Sequence, residues 1–193
     1  MKREIFLSFS PNFFRPILYG IKKYEYRKRF CKEPTTAYLY LSSPIQEIIG
    51  IMQLGRLIKI EDVINNYDNS SITYERLSIS MESGEKFAIP IESLQLFKEP
   101  IGINKIKELS PNFFVPQCYL DITKHQKLYD YIKNQELYEL EFTHSHNNIY
   151  HENIGCTCRE METFQEFKEL DDKYVNDSKY DIVKSRYLLR RTK

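Results

Sequence analysis

The sequence has almost no net charge, no long apolar run and few cysteines, and each shortage excludes a class of protein. Its 193 residues carry a formal net charge of +1, so any anion-binding site must come from local clustering rather than from an overall basic surface. The first apolar run, residues 5–7, is too short for a signal peptide or a membrane span, so we expect a cytoplasmic protein with no membrane partner. The four cysteines lack the dense spacing of a secreted disulfide scaffold and are expected to be reduced thiols.

The charges that are present are unevenly distributed. Between Arg15 and Lys32, seven basic residues stand against the single acid Glu25, and the last ten residues add five basic residues and no acid. An acidic stretch, residues 160–172, lies between these segments, and we interpret it as a solvated helix face. The segment around residues 20–29 is therefore the first place to look for a charged ligand.

Residues 20–29 combine a glycine, basic residues and one carboxylate in a short stretch. From residue 24 the residue types alternate, which predicts a strand with Glu25 and Arg27 on one face and Tyr24 and Tyr26 on the other. The acid and the arginine can form an ion pair, or together face a ligand that offers both a donor and an acceptor, such as a nucleobase edge. Lys22 has the opposite strand parity, so it reaches the same side only if a bend redirects it.

Aromatic residues interleave with these charges and offer platforms on which bases can stack. The candidates are Tyr24, Tyr26, Phe30, Tyr38 and Tyr40. The alternative is that the rings fill the protein core, and we expect this for most of them.

Several short predicted strands with few helices indicate an α+β protein built on a small, partly open mixed β-barrel. After residue 121 apolar residues recur at helical spacing, and Thr157 with Glu160 has the spacing of a helix capping box. We therefore divide the chain into a barrel domain, residues 1–121, and a helical C-terminal extension, residues 122–193, packed on the barrel.

A group of potential metal ligands follows in residues 144–158. Its members are His144, His146, His151, Cys156 and Cys158. Zinc accepts such side chains, but their spacing matches none of the common structural zinc patterns. We expect a polar loop without a metal and keep these five residues as the candidates should one bind.

Gly20, Lys22, Glu25 and Arg27 match the G-x-K-x-x-E-x-R signature of the ASCH family, and the chain resembles that family over residues 4–121. The flanking segments agree with the family's order of elements: residues 5–9, 37–44 and 115–119. The resemblance implies a PUA-like β-barrel and a cleft, lined by the signature, that binds RNA or a modified nucleotide.

Two functions follow from this resemblance, and the sequence leaves both open. The first is an RNA- or modified-nucleotide-binding module that uses Gly20, Lys22, Glu25 and Arg27, with Tyr24 and Tyr26 beside them and no cofactor. The second is a hydrolase, either an amidohydrolase on a modified nucleoside or a ribonuclease, acting through Lys22 and Glu25. Family members that look like amidohydrolases have a threonine three positions after the lysine, where this chain has Glu25, which argues against that activity. A protein-interaction module working through the helical extension is a third possibility.

Overall fold

A computed structural model describes residues 3–144, 146 and 155–176, and within them one mixed sheet of eight strands carries the fold. The strands are β1 (Arg3–Phe9), β2 (Tyr24–Arg27), β3 (Thr35–Leu41), β4 (Glu47–Leu54), β5 (Ile58–Lys59), β6 (Phe87–Gly102), β7 (Tyr119–Asp121) and β8 (Leu137–Thr143). Their order is β2-β6-β4-β3-β1-β7, with β5 and β8 also paired to β6. Strands β1 and β3 run parallel, and the other pairs are antiparallel.

The helices connect and cover these strands. They are α1 (Phe14–Leu18), α2 (Ile60–Ile64), α3 (Ile72–Glu82), α4 (Ile103–Leu109), α5 (Gln126–Lys133), α6 (Cys158–Met161) and α7 (Gln165–Asn176), with 3-10 turns at Pro11–Phe13 and Ile122–Lys124. None of the helices in the described parts of the chain is long and apolar enough to cross a membrane. The whole is an α+β fold with a curled half-barrel, as the sequence predicts.

The long strand β6 curls the sheet. Residues 87–90 pair with β2 and β5, whereas residues 91–102 pair with β4 and β8. The pairing with β4 shifts register between Gln53 and Leu54, beside the change of partners. Such an irregularity bends a strand and increases its local twist, so one continuous strand can serve both halves of the sheet.

Alternating side chains bury both faces of the sheet. In β1, Ile5 and Leu7 belong to one apolar cluster, while Phe6 belongs to another on the opposite face. Tyr38 and Tyr40 lie in the second cluster, so these two rings fill the core, as expected for most of the aromatic candidates.

The C-terminal part of the chain is not purely helical. We predicted helix after residue 121, but Leu137–Thr143 forms strand β8 on β6. The cause lies in its sequence: Tyr138, Leu140 and Phe142 pack on the first cluster, while the intervening glutamates are exposed, and this period of two favours a strand. The capping box of Thr157 and Glu160 is confirmed at the start of α6. The boundary at residue 121 stays a prediction.

Candidate functional site

A tight turn after α1 brings the signature residues together. Gly20 has a φ of +72°, a conformation that side chains rarely adopt, and the backbone N–H groups of Ile21 and Lys22 both donate to the carbonyl oxygen of Pro16. A Cβ on Gly20 would also lie 3.4 Å from Cδ2 of His144. Strand alternation alone would place Lys22 and Glu25 on opposite faces. The turn provides the bend that redirects Lys22 toward the face of β2 that carries Glu25.

The three charged signature residues form one ionic cluster, which we call the signature triad: Lys22, Glu25 and Arg27. Oε2 of Glu25 lies 3.2 Å from Nζ of Lys22, and Oε1 lies 2.8 Å from Nε of Arg27. Lys22 and Glu25 are only 5% and 7% exposed. One carboxylate therefore bridges two cations in a site largely shielded from water, where electrostatic interactions are stronger than at the surface.

The cations of the triad are held by carbonyl oxygens and aromatic rings. Nζ of Lys22 donates to the carbonyl oxygen of Tyr24 at 2.8 Å and lies 5.3 Å from the ring centre of Phe13. The guanidinium of Arg27 lies 5.7 Å from the ring centre of Phe9, and its Nη2 donates to a backbone carbonyl of β1. Its Nε faces Oε1 of Glu25, so the carboxylate, the carbonyl oxygen and the ring together hold this guanidinium.

The two tyrosines of β2 lie in packing positions. Tyr24 belongs to an apolar cluster with α2 and α3, and its ring meets that of His146 edge-on at 5.3 Å. The hydroxyl of Tyr26 accepts a hydrogen bond from the backbone N–H of Gly155 at 2.8 Å. Burial raises the pKa of both phenols. Their part in ligand binding stays a prediction.

The segment of residues 155–176, which we call the C-terminal cover, lies over the turn and the triad. Burial raises the pKa of the Cys158 thiol in α6, the charge of Lys22 lowers it and that of Glu25 raises it, so this thiol lies within electrostatic range of the triad. Met161 and Phe167 are buried in the first apolar cluster, together with residues of α1. The C-terminal cover therefore lies beside the signature residues and packs in the same cluster as α1.

Two contacts of the C-terminal cover were not predicted from the sequence. The carboxylate of Asp171 in α7 pairs with Arg15 and accepts a hydrogen bond from the hydroxyl of Tyr19 at 2.6 Å. Glu160 pairs with Arg76 of α3 at 3.1 Å. We interpreted the acidic stretch as a solvated helix face, and these two members are exceptions. The opposite charges of residues 15–32 and 160–172 could have indicated the first of these contacts, whereas no such signal marks Arg76.

The candidate metal ligands are used in other ways. Nδ1 of His144 and Nε2 of His146 lie 2.9 and 2.8 Å from the carbonyl oxygen of Ile91, to which each donates. Cys156 is buried in the first apolar cluster. Within the part of the chain that the structure describes, no three histidine, cysteine or acidic side chains are grouped as metal ligands. His151 lies outside the described residues.

The sheet and the turn before β2 define an α+β protein with a curled half-barrel. No family model and no curated protein matches the sequence. A crystal structure of ASCH from Zymomonas mobilis matches with a TM-score of 0.52 and 21% identity, over 69% of this chain and 96% of that one. A tyrosine-to-phenylalanine mutant of the same ZmASCH matches with a TM-score of 0.52 and 20% identity, over 70% and 100%. The chain thus has the ASCH fold, which confirms the fold implied by the resemblance.

Proposed function

We propose that this protein is an intracellular module that binds RNA or a modified nucleotide through Gly20, Lys22, Glu25 and Arg27. The observation that carries the proposal is the convergence of the signature triad beside the turn. Stability of the strand alone does not explain three charges in a site with little access to water, because apolar residues in these positions would often stabilise the protein equally well or better.

The triad has the groups needed to recognise a base and its phosphate. The carboxylate of Glu25 can accept from an exocyclic amine, while the guanidinium of Arg27 donates to ring nitrogens, carbonyl oxygens or phosphate. The ASCH fold adds support, because the family resemblance implies the same class of ligand at the same signature.

The contacts of Lys22 favour binding over hydrolysis. In a hydrolase, Lys22 would attack the substrate or activate water, with Glu25 orienting the water or protonating a leaving group. Instead, Nζ of Lys22 donates to the carbonyl oxygen of Tyr24 and pairs with Glu25. Nζ of Lys22 is thus held by two protein oxygens rather than poised toward a reacting atom.

The proposal is tested by fluorescence anisotropy with a labelled, mixed-sequence single-stranded RNA of about a dozen nucleotides, followed by competition with acetylated and methylated nucleosides. We expect Glu25→Gln and Arg27→Lys to weaken binding at least about tenfold, because each removes a charged or bidentate contact. Binding should also weaken steeply with added salt. Arg27→Lys keeps the charge of the triad, so it reports on recognition even if Glu25→Gln folds poorly.

The matched controls are Lys32→Gln and Glu33→Gln, two exposed charges a few residues beyond β2. They should change the affinity less than about twofold. If the controls weaken binding as much as the triad variants, or if the triad variants bind like the unaltered protein, the signature is not the binding site. Thermal unfolding of every variant checks that the protein remains folded.

A further inference from the structure

A guanidinium and a phenol hold a carboxylate of the same chain beside the signature turn. Arg15 lies on α1 and pairs with Asp171 of α7, and the hydroxyl of Tyr19 donates to the same carboxylate oxygen at 2.6 Å. The Arg15 guanidinium also lies 5.9 Å from the ring centre of Tyr19 and 5.3 Å from that of Phe167. The two donors and the flanking rings make a preformed position for one anionic group.

This position is part of the same structural unit as the signature triad. Helix α1 ends in the turn that carries Gly20, and the N–H of Lys22 donates to the carbonyl oxygen of Pro16, the residue after Arg15. The ring of Phe13, also next to α1, lies under Nζ of Lys22. An anion held by Arg15 and Tyr19 is therefore anchored to the backbone that positions the triad.

A phosphate has the chemistry that such a pair binds. Guanidinium binds phosphate and carboxylate oxygens in the same way, and a phenol hydroxyl adds a further donor. Asp171 belongs to a helix whose other acids, Glu166, Glu169 and Asp172, are exposed, so α7 presents a negatively charged surface beside a basic segment. A nucleic-acid backbone presents the same sign of charge.

The carboxylate can leave this position without unfolding the cover. The side chain of Asp171 is 29% exposed, compared with 14% for Arg15, so the pair lies at the rim of the site. Rotation of the Asp171 side chain would open the two donors to an incoming phosphate, while Phe167 stays in the apolar cluster. Exchange at this point is therefore a local event.

We propose that Arg15 and Tyr19 form a second anion-binding position for the ligand of the signature triad, which Asp171 occupies in the free protein. The acidic helix α7 then competes with a ligand phosphate and lowers the apparent affinity of the site. This inference rests on the proposed function, since it names the phosphate contact and the internal competitor of the same ligand.

The test compares Asp171→Asn with Asp172→Asn in the full chain, using the same labelled RNA. Both variants remove one negative charge from α7, but only Asp171 contacts Arg15 and Tyr19. We expect Asp171→Asn to tighten binding about three- to tenfold, as loss of a partly exposed competing charge should do, and Asp172→Asn to change it less than about twofold. Adding Arg15→Gln to Asp171→Asn should remove the gain, because the vacated position then has no cation.

A purely structural ion pair predicts a different pattern. Asp171→Asn would then lower the melting temperature and leave the affinity unchanged or weaker, so equal affinities for the Asp171 and Asp172 variants overturn the inference. The inference is also overturned if Asp171→Asn binds the RNA more tightly and this gain in affinity persists when Arg15→Gln is added. If the triad variants still weaken binding at least about tenfold in these cases, the proposed function stands without this inference. If neither the unaltered protein nor Asp171→Asn binds the RNA, both proposals fail.

Discussion

Replacing Glu25 by glutamine should destabilise the protein by about 3 kcal/mol. The change removes the only negative charge of the triad and leaves two cations facing each other in a site with little access to water. Breaking a buried ion pair from one side costs roughly 3 to 5 kcal/mol. The lower end applies here, because the glutamine oxygen can still accept from one cation and Nζ of Lys22 keeps the carbonyl oxygen of Tyr24. For a protein of this length, this loss lowers the melting temperature by about 6 to 12 °C.

Urea unfolding followed by circular dichroism measures this loss directly. The midpoint should fall by about 1 to 2 M with an unchanged slope, since the surface exposed on unfolding stays the same. The matched control is Glu33→Gln, because Glu33 and Arg56 also lie 2.8 Å apart but their side chains are 67% and 71% exposed. That exposed pair should contribute less than about 1 kcal/mol. If the two glutamine variants differ by less than about 1 kcal/mol, burial does not strengthen the triad and the reasoning is refuted.

A double-mutant cycle then isolates the contact between Glu25 and Lys22. Lys22→Met should cost less in the Glu25→Gln protein than in the unaltered one, because the lysine has by then lost its carboxylate partner and still lies near the charge of Arg27. We expect a coupling free energy above about 0.5 kcal/mol, the lower limit for residues in direct contact. A coupling near zero would mean that the two side chains do not interact in solution.

Two further predictions concern groups near the C-terminal cover. Burial lowers the pKa of His144 below its usual value of 6.5, so below about pH 6.5 the unfolded state binds more protons. The contribution of His144 to the free energy of unfolding should therefore be complete above this pH and decline as the pH falls. Unfolding midpoints measured from pH 7.5 to 5 should decline less steeply in His144→Gln than in the unaltered protein. Burial also raises the pKa of the Cys156 thiol to about 11, compared with a usual 9.0. At pH 8 iodoacetamide should modify Cys156 roughly a hundredfold more slowly than an unperturbed thiol, because the thiolate fraction falls tenfold per pKa unit. Peptide mass spectrometry measures the rate of modification. The prediction is contradicted if Cys156 reacts as fast as the partly exposed Cys118.

Local patterns predicted the geometry of the candidate site better than they predicted its surroundings. The alternation in residues 24–27 correctly placed Glu25 and Arg27 side by side, and glycine at position 20 correctly marked the bend that brings Lys22 to them. These relations depend on neighbours in sequence, which backbone geometry fixes. The contact between Arg15 and Asp171 joins residues 156 positions apart, and no local periodicity specifies such a pairing.

The strand β8 was missed for a related reason. Its alternation of apolar and acidic residues was readable in the sequence, but the helical spacing on either side favoured a continuous helical extension. Pairing with β6 decides the conformation of residues 137–143, and a local sequence pattern cannot reveal a partner some 45 residues away. Helix α3 has a weak start signal in the sequence, because its N-cap, Ser71, has no glutamate or glutamine three residues later.

The dependence of β2 on β6 also fixes when the signature triad can first form. During synthesis the segment that bears Glu25 leaves the ribosome long before residues 87–90, which hold it in register. Until that central strand has emerged, the acid and its two cations lie on an unpaired stretch of nascent chain without fixed geometry or shelter from water. A stalled polypeptide that ends before residue 87 therefore carries the signature residues without the strand that aligns them.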